Sequence, residues 1–417
     1  MKTENRRLEA LFGSQQPVPV ILGGHVNGLG LARSLARIGR RSIVIDAERT
    51  MAFRSRYVSG LLCPHPQHDE EGFIAFLEKL GARLSAPGFL LCTNDIWLIP
   101  VSRNQHRLQE RFHFPMSPWS VIERAIAKTR LYAHAEKEGI PCPTTLQCSS
   151  LAALREARQR IPYPCVIKPS VTVGFLEALG VQGRTIVVKD SAEFDAVIAR
   201  IDACGLAHTD LIVQEQIPGG VENLFTITTY SNREGEIIGY STGHKIRQYP
   251  PDAGTIVAGR VSHEPRLYEL GRQLIRSLGF HGIANTEFKK DARDGSFKLI
   301  EINPRPGMWN YSVLAAGLNL PAMAYREACG ERLGFVGGTQ REVVWLRTLD
   351  DLRNCLYVYR ATGYPQHALS FGEWLRTIRG DRVDAVFQVR DPLPFLFELA
   401  GLVRGAARVA ARGLRLR

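Results

Sequence analysis

Phe297-Lys-Leu-Ile-Glu-Ile-Asn-Pro-Arg-Pro306 carries Glu301 and Asn303 two residues apart inside an apolar run. On a β-strand that spacing sends both side chains out of the same face. A second apolar run just upstream, Gly282-Ile-Ala-Asn-Thr-Glu-Phe288, carries Glu287. The turn-rich Lys289-Lys-Asp-Ala-Arg-Asp-Gly-Ser296 between the two predicts a hairpin. Antiparallel pairing then sets Glu287 beside Glu301 and Asn303. Hard oxygen donors grouped in this way suit Mg²⁺ that is shared with substrate phosphates. A strand with two solvated polar residues would account for the acids, but not for the Pro-Arg-Pro that comes directly after them.

Other polar residues extend this chemistry. Lys128 lies on a helix predicted from Ile122 to Glu138, and Lys168 ends the apolar Cys165-Val-Ile-Lys-Pro169. Two lysines from separate elements can neutralise different phosphates, although Lys128 alone also fits an ordinary surface position. The loop from Ser170 to Arg184 contains Gly174, Gly180 and Gly183, whose amides can approach phosphates closely. Its apolar middle, Phe175-Leu-Glu-Ala-Leu179, fits a plain loop equally well. Val213-Gln-Glu-Gln-Ile-Pro-Gly-Gly-Val-Glu222 offers main-chain groups at a strand end that can read an adenine ring, with a carboxylate for ribose hydroxyls. A strand and a Pro-Gly-Gly turn without a ligand reads the same residues. In Gly243-His-Lys-Ile-Arg-Gln-Tyr-Pro-Pro251, Lys245 and Arg247 share a face if the segment is extended, and an arginine fork suits carboxylate or phosphate. A solvated basic loop is the alternative.

The elements that must position these groups begin with a βαβ unit. Pro19-Val-Ile-Leu-Gly-Gly24 is a strand ending in glycines, a helical pattern runs from His25 to Arg37, and Arg41-Ser-Ile-Val-Ile-Asp46 is the next strand. Gly24-x-x-x-Gly28-x-Gly30 departs from the dinucleotide spacing, so a Rossmann-like scaffold is the better reading than a bound NAD. Gly88 to Asp95 reads as a later strand whose polar end faces a cleft. Around Ser117-Pro-Trp-Ser-Val121 the pattern changes, and strands come next at Cys165–Pro169, Gly183–Lys189, Leu211–Gln216 and Leu224–Tyr230.

The 417 residues are 45% hydrophobic and 23% charged, enough for several domains with real cores. No uninterrupted apolar run approaches the length of about 18 residues that marks a membrane span. The N-terminus is charged and lacks an apolar signal core. Eight cysteines without a Cys-x-x-Cys pair argue against a zinc ribbon or disulfide scaffold and fit reduced, cytoplasmic thiols. The net charge of +12 is uneven, since Arg404, Arg408, Arg412, Arg415 and Arg417 end the chain with no acid among them. With the apolar 392–403 before them they resemble a basic amphipathic helix on the inner face of an anionic membrane, or a last helix packed on the body. No nucleic-acid reading module is present.

Taken in order, Lys128, Lys168-Pro169, Glu215 to Glu222, Glu287 and Glu301-x-Asn303-x-Arg305 resemble the ATP-grasp superfamily of ligases. His244 to Pro251 and Phe288 to Gly295 are similar to its D-aspartate-ligase-like, carboxylate-amine ligase branch. The resemblance implies an α/β chain, α+β in the ATP-binding part. A Rossmann-like domain at 1–116 would precede an ATP-grasp domain at 117–335, with a lid at about 145–205. A small helical C-terminal region at 336–417 would come last. It further implies that Lys128 and Lys168 bind ATP phosphates, that Glu215 and the backbone of Gln214, Glu215, Gln216 and Ile217 hold adenine, and that Glu222 meets the ribose. Glu287, Glu301 and Asn303 would ligate two Mg²⁺, or Mn²⁺ in their place, and Arg305 would stabilise the transferring phosphoryl group. Lys245 and Arg247 are the candidates for holding an acidic substrate. The expected function is ligation of a carboxylate to an amine through an acyl phosphate, with a mobile lid excluding water. A non-catalytic membrane-peripheral nucleotide binder and a nicotinamide-dependent oxidoreductase are the competing readings.

Overall fold

The computed structural model describes residues 2–169, 186–205, 211–251 and 254–414. The N-terminal strands β1 (Pro19–Leu22), β2 (Ser42–Asp46), β3 (Val58–Leu62), β4 (Gly88–Cys92) and β5 (Phe112–His113) form a parallel sheet in the order β3-β2-β1-β4-β5. Parallel sheets are covered on both faces, which is why these strands are near-continuous apolar runs. Alternate residues feed two cores. Val20, Leu22, Ile43 and Ile45 pack with Phe73, Leu77 and Trp97, whereas Ile21, Val44, Phe89 and Leu91 join a core shared with the central part of the chain. That shared core contains Tyr230, Ile283, Trp309 and Trp345, so the N-terminal sheet and the later strands bury their apolar surface together. The first turn of the helix Val26–Ala36 needs a glycine where it meets the end of β1: a Cβ on Gly28 would lie 2.0 Å from the Gly23 carbonyl oxygen.

The next sheet is four-stranded and antiparallel, made of β6 (Thr145–Cys148), β7 (Cys165–Pro169), β8 (Ile186–Val188) and β9 (Leu211–Glu215) in the order β6-β9-β7-β8. Leu154 and Ala157 of one helix and Phe194, Ile198 and Ile201 of another close its apolar face. The glycine-bearing loop from Ser170 to Arg184 lies outside the described residues.

The central sheet comprises β10 (Leu224–Ser231), β11 (Ile237–Tyr249), β12 (Thr255–Val261), β13 (Gly282–Lys290), β14 (Phe297–Asn303), β15 (Gly337–Gly338), β16 (Val343–Leu346) and β17 (Arg382–Asp384). Its order is β14-β13-β10-β11-β12-β16-β17, with β15 on β11. The helix Pro265–Leu278 buries Leu267, Leu274, Ile275 and Leu278 against Ile227, Phe288, Leu299 and Ile302. Strands β15 to β17 come from the segment after residue 336 and complete this same sheet.

The single helix expected from Ile122 to Glu138 is two helices, Trp119–Ile126 and Lys128–Lys137, broken at an extended Ala127 (φ −77°, ψ 101°). The first half divides its buried side chains between two cores. Ile122 packs with the N-terminal sheet, while Ala125 joins Leu131 and Ala135 of the second half beneath β13 and β14. The break makes Lys128 the first residue of the second helix.

Candidate active site

The hairpin of β13 and β14 has the register Glu287↔Glu301 and Asn285↔Asn303. Glu287 and Glu301 are therefore cross-strand neighbours, and Asn303 lies one step further along the same face. Its amide Nδ2 donates to Glu301 Oε1 at 3.1 Å. Two like charges opposite each other need cations, and the fold supplies them. Lys245 of β11 reaches across β10 to place Nζ 3.0 Å from Glu287 Oε2. Lys128 Nζ lies 3.6 Å from Glu301 Oε2.

Lys168 faces this group from the four-stranded sheet. Its Nζ donates to Gln214 Oε1 at 2.9 Å, and the Gln214 amide donates to Thr145 Oγ1 at 2.9 Å. Burial, and then the charge of Lys128, lower the Lys168 pKa to about 8, against an opposing pull from Glu301. Lys128, Lys168 and Glu301 thus share one electrostatic field although they come from three elements.

Arg305 joins the site to the N-terminal sheet. Nη2 donates to Asn303 Oδ1 at 2.9 Å, and Nε donates to Asp95 Oδ1 at 2.7 Å. Asp95 opens the helix Asp95–Arg103 beyond the carboxyl end of β4, where open parallel sheets place their ligands. The same junction is also tied by Asn27, whose Nδ2 donates to the carbonyls of Pro306 (2.8 Å) and Thr93 (2.7 Å). No local pattern in the chain points to the Asp95–Arg305 pair. The strand-end position of Asp95 is the available clue.

Lys245 and Arg247 do not end in one place. The register of β11 against β12 shifts on each side of Arg247, and such bulges re-aim side chains. Arg247 turns to Asp351, donating from Nε at 2.7 Å and from Nη2 at 2.6 Å, while its Nη1 donates to Thr377 Oγ1 at 2.7 Å. Only Lys245 of the pair reaches the carboxylates, because Arg247 neutralises a fully buried acid of the C-terminal region.

At the end of β9 the main chain turns into a strip between the two sheets. The Glu215 N–H donates to Thr144 O and the Gln216 N–H to Pro164 O, both at 2.9 Å. Among the described residues, Ile217 N–H donates to nothing. The Glu215 carboxylate is buried, accepts from Thr144 N at 3.2 Å and pairs with Arg293, which also binds Asp291. Glu222 sits on the one-turn helix Val221–Asn223 near Lys289. Sequence reasoning does not single out Arg293 and Asp291, since a turn of charged residues ordinarily faces water.

The donor set fits a hard dication bound with phosphates. It holds two carboxylates and an amide oxygen on one face, and each carboxylate already takes an ammonium group at short range. The glycine turn after β1 does not fit a dinucleotide. Asp46, the acid that would accept from ribose hydroxyls, instead accepts from Gly24 N and Ala47 N, each at 2.7 Å.

A Rossmann-like sheet, a small antiparallel sheet and a large one, converging on lysines and paired acids, are the layout that the sequence resemblance to ATP-grasp ligases implies. Comparison with known proteins agrees. Residues 247–347 match the family described as ATP-grasp in the biosynthetic pathway with Ter operon. D-aspartate ligase of Enterococcus faecium is 26% identical over 319 residues, covering 74% of this chain and 75% of that protein. The structure of N5-carboxyaminoimidazole synthetase from Staphylococcus aureus complexed with ADP superposes with a TM-score of 0.59 at 14% identity, covering 81% of this chain and 85% of that one. L-amino acid ligase from Bacillus licheniformis gives 0.56 at 18%, covering 76% and 74%. Residues 247–347 thus match an ATP-grasp family, the fold is that of the ATP-grasp structures named, and the relatives of this chain include a carboxylate-amine ligase.

Proposed function

We propose that the chain is an ATP-dependent ligase that joins a small-molecule carboxylate to an amine through an acyl phosphate. The observation that carries this reading is the convergence of Lys128 and Lys245 on the Glu287–Glu301 pair, with Lys168 in the field of Glu301 and Arg305 on the neighbouring Asn303. Lys128 and Lys168 would neutralise the ATP phosphates. The backbone from Gln214 to Ile217 would read adenine, with Glu215 fixed by Arg293 and Glu222 at the ribose. Glu287, Glu301 and Asn303 would hold two Mg²⁺, with Mn²⁺ able to replace them; the bound metal supplies charge neutralisation at the phosphate oxygens.

A carboxylate is a poor acyl donor because oxide would have to leave. Its oxygen attacks the γ-phosphorus, the bond to ADP breaks, and an acyl phosphate forms. The amine then attacks the carbonyl carbon, phosphate departs, and the nitrogen gives up a proton. Arg305 would stabilise the transferring phosphoryl group, and Lys245 would hold the acidic substrate or the acyl phosphate. The protein's work is alignment and charge neutralisation, away from water. Reduced cysteines and the need for ATP suit the cytoplasm.

The test is ADP release with pooled amino acids and small carboxylates, together with hydroxylamine trapping of the acyl phosphate as a hydroxamate. ADP release that ignores both added substrates, or absence of nucleotide binding, would sink the reading. ATP binding without turnover would favour the non-catalytic alternative. The commitment of Asp46 to its own turn speaks against the oxidoreductase.

Two results are expected at this site. Asp95→Asn frees Arg305 from the N-terminal sheet and should lower turnover by about 10–100-fold, the range for partners that orient a functional group. Nucleotide affinity should stay within a few-fold of wild type, and a parallel loss of affinity would contradict the orienting role. The second concerns Lys168, whose amine loses its proton near pH 8 in the free protein. Polyphosphate raises that pKa, so ATP binding takes up a proton and weakens as pH rises above about 8. The folding sign comes from the same shift. Between about 8 and the usual lysine value of about 10.4 the unfolded chain binds more protons, so stability rises with pH there. Calorimetric titrations in buffers of different ionisation enthalpy check the uptake, and Lys168→Met should abolish it.

A further inference from the structure

The helix Leu393–Leu414 has an apolar outer side over residues 393–403. Its entry is fixed by Asp391, which is buried and accepts from Arg33 Nε (3.1 Å), Ser55 Oγ (2.8 Å) and Arg56 N (2.9 Å). Phe395 packs on the shared core, Phe397 lies 5.4 Å beneath the Arg54 guanidinium, and Glu398 accepts from Arg347 at 3.0 Å. These contacts settle which side faces the protein. On the other side Leu393, Leu396, Leu399 and Val403 are 56%, 52%, 39% and 62% exposed. Their spacing of three to four residues makes one continuous stripe. Just before the helix, Phe387 and Val389 are exposed as well. A contiguous apolar patch of this kind marks an interaction site rather than an ordinary surface.

The charge around the patch identifies the partner. Arg56 donates to the Arg390 carbonyl at 3.4 Å, so both lie at the base of the helix. Within the field of Arg56, Arg41 has two buried guanidinium nitrogens, Nε and Nη2, with no hydrogen-bond partner among the described residues. Burial, and then the charges of Arg7 and Arg56, hold its pKa below the ordinary arginine value. The sequence beyond Leu402 adds five arginines and no acid. A second copy of this chain would bring the same arginines against themselves across a two-fold axis, between molecules that each carry +12. Anionic headgroups over an acyl layer satisfy both the charge and the stripe. No described helix is long and apolar enough to cross a membrane, so the contact is peripheral.

We propose that this face docks on an anionic lipid bilayer. Leu393, Leu396, Leu399 and Val403 enter the headgroup–acyl boundary, and Arg56, Arg390 and Arg404 face lipid phosphates. The test is sedimentation of the 417-residue chain with vesicles of phosphatidylcholine alone or mixed with phosphatidylglycerol. Association with the anionic vesicles only, weakened by salt, is the expected result. Leu396→Asp should bind about tenfold more weakly, and Arg390→Glu about fivefold. Both residues lie outside the proposed ligase site, so nucleotide binding should be unchanged in both variants. Association with neither vesicle, equal association with both, or a dimer in light scattering that depends on Leu396 would overturn the proposal.

Discussion

Replacing Glu301 with Gln is expected to lower ATP turnover by at least about 10²–10³-fold in a protein that remains folded. Glu301 faces Glu287 across the hairpin, accepts from Asn303 and lies against Lys128. Gln preserves the volume but removes the charge that a hard dication and its phosphates require. The structural cost is small for two reasons. The Lys128–Glu301 contact is substantially exposed, and such pairs contribute about 1 kcal/mol at most. Removing one of two facing carboxylates also relieves repulsion. ADP release and calorimetry on the same preparation check both halves. Turnover within a few-fold of wild type would show that this carboxylate pair is not the reaction centre.

Asp351→Ala is expected to act on stability instead, with a loss of about 3–5 kcal/mol, as for other buried ion pairs broken on one side. Asp351 is completely buried and accepts twice from Arg247 and once from Trp374 Nε1, at 2.7 Å. Burial pushes the Arg247 pKa down, but the bonds to Asp351 and its charge outweigh it and the net direction is up. Without the acid, the buried guanidinium keeps only Thr377 Oγ1 as a partner and the Trp374 indole N–H loses its acceptor. The first calorimetric transition should therefore move down by several degrees. The double variant Arg247→Met/Asp351→Leu should recover much of the loss, since apolar replacement of a whole buried pair is often neutral or better. A single variant that melts like wild type would mean that water reaches Arg247 after all.

The central hairpin is readable from sequence because its rules are local. Two apolar runs, a charged turn and a period of two put Glu287 against Glu301, and the register is the one found. Lys168 is equally accessible at the end of a short apolar strand. The helix break at Ala127 is not, since no proline or glycine marks it. It falls where the chain passes from a half that serves two cores, through Ile122 and Ala125, to a half that serves only one of them. The separate destinations of Lys245 and Arg247 are also hidden. Alternation predicts one face, and only the bulges of β11 against β12 send Arg247 to an acid 104 residues further on.

What the sequence by itself determined is the inventory: paired acids on a hairpin, lysines on separate elements, an arginine between prolines, and a basic end. Each arises from periodicity and turn chemistry within a few residues. Tertiary structure decided which of these groups meet. Asp95 and Arg305 are 210 residues apart, and Asn27 and Pro306 are 279 apart. Those contacts depend on how the N-terminal sheet packs on the central one through a shared core. Packing of that kind rests on non-directional burial of apolar surface, which leaves no local pattern in the chain.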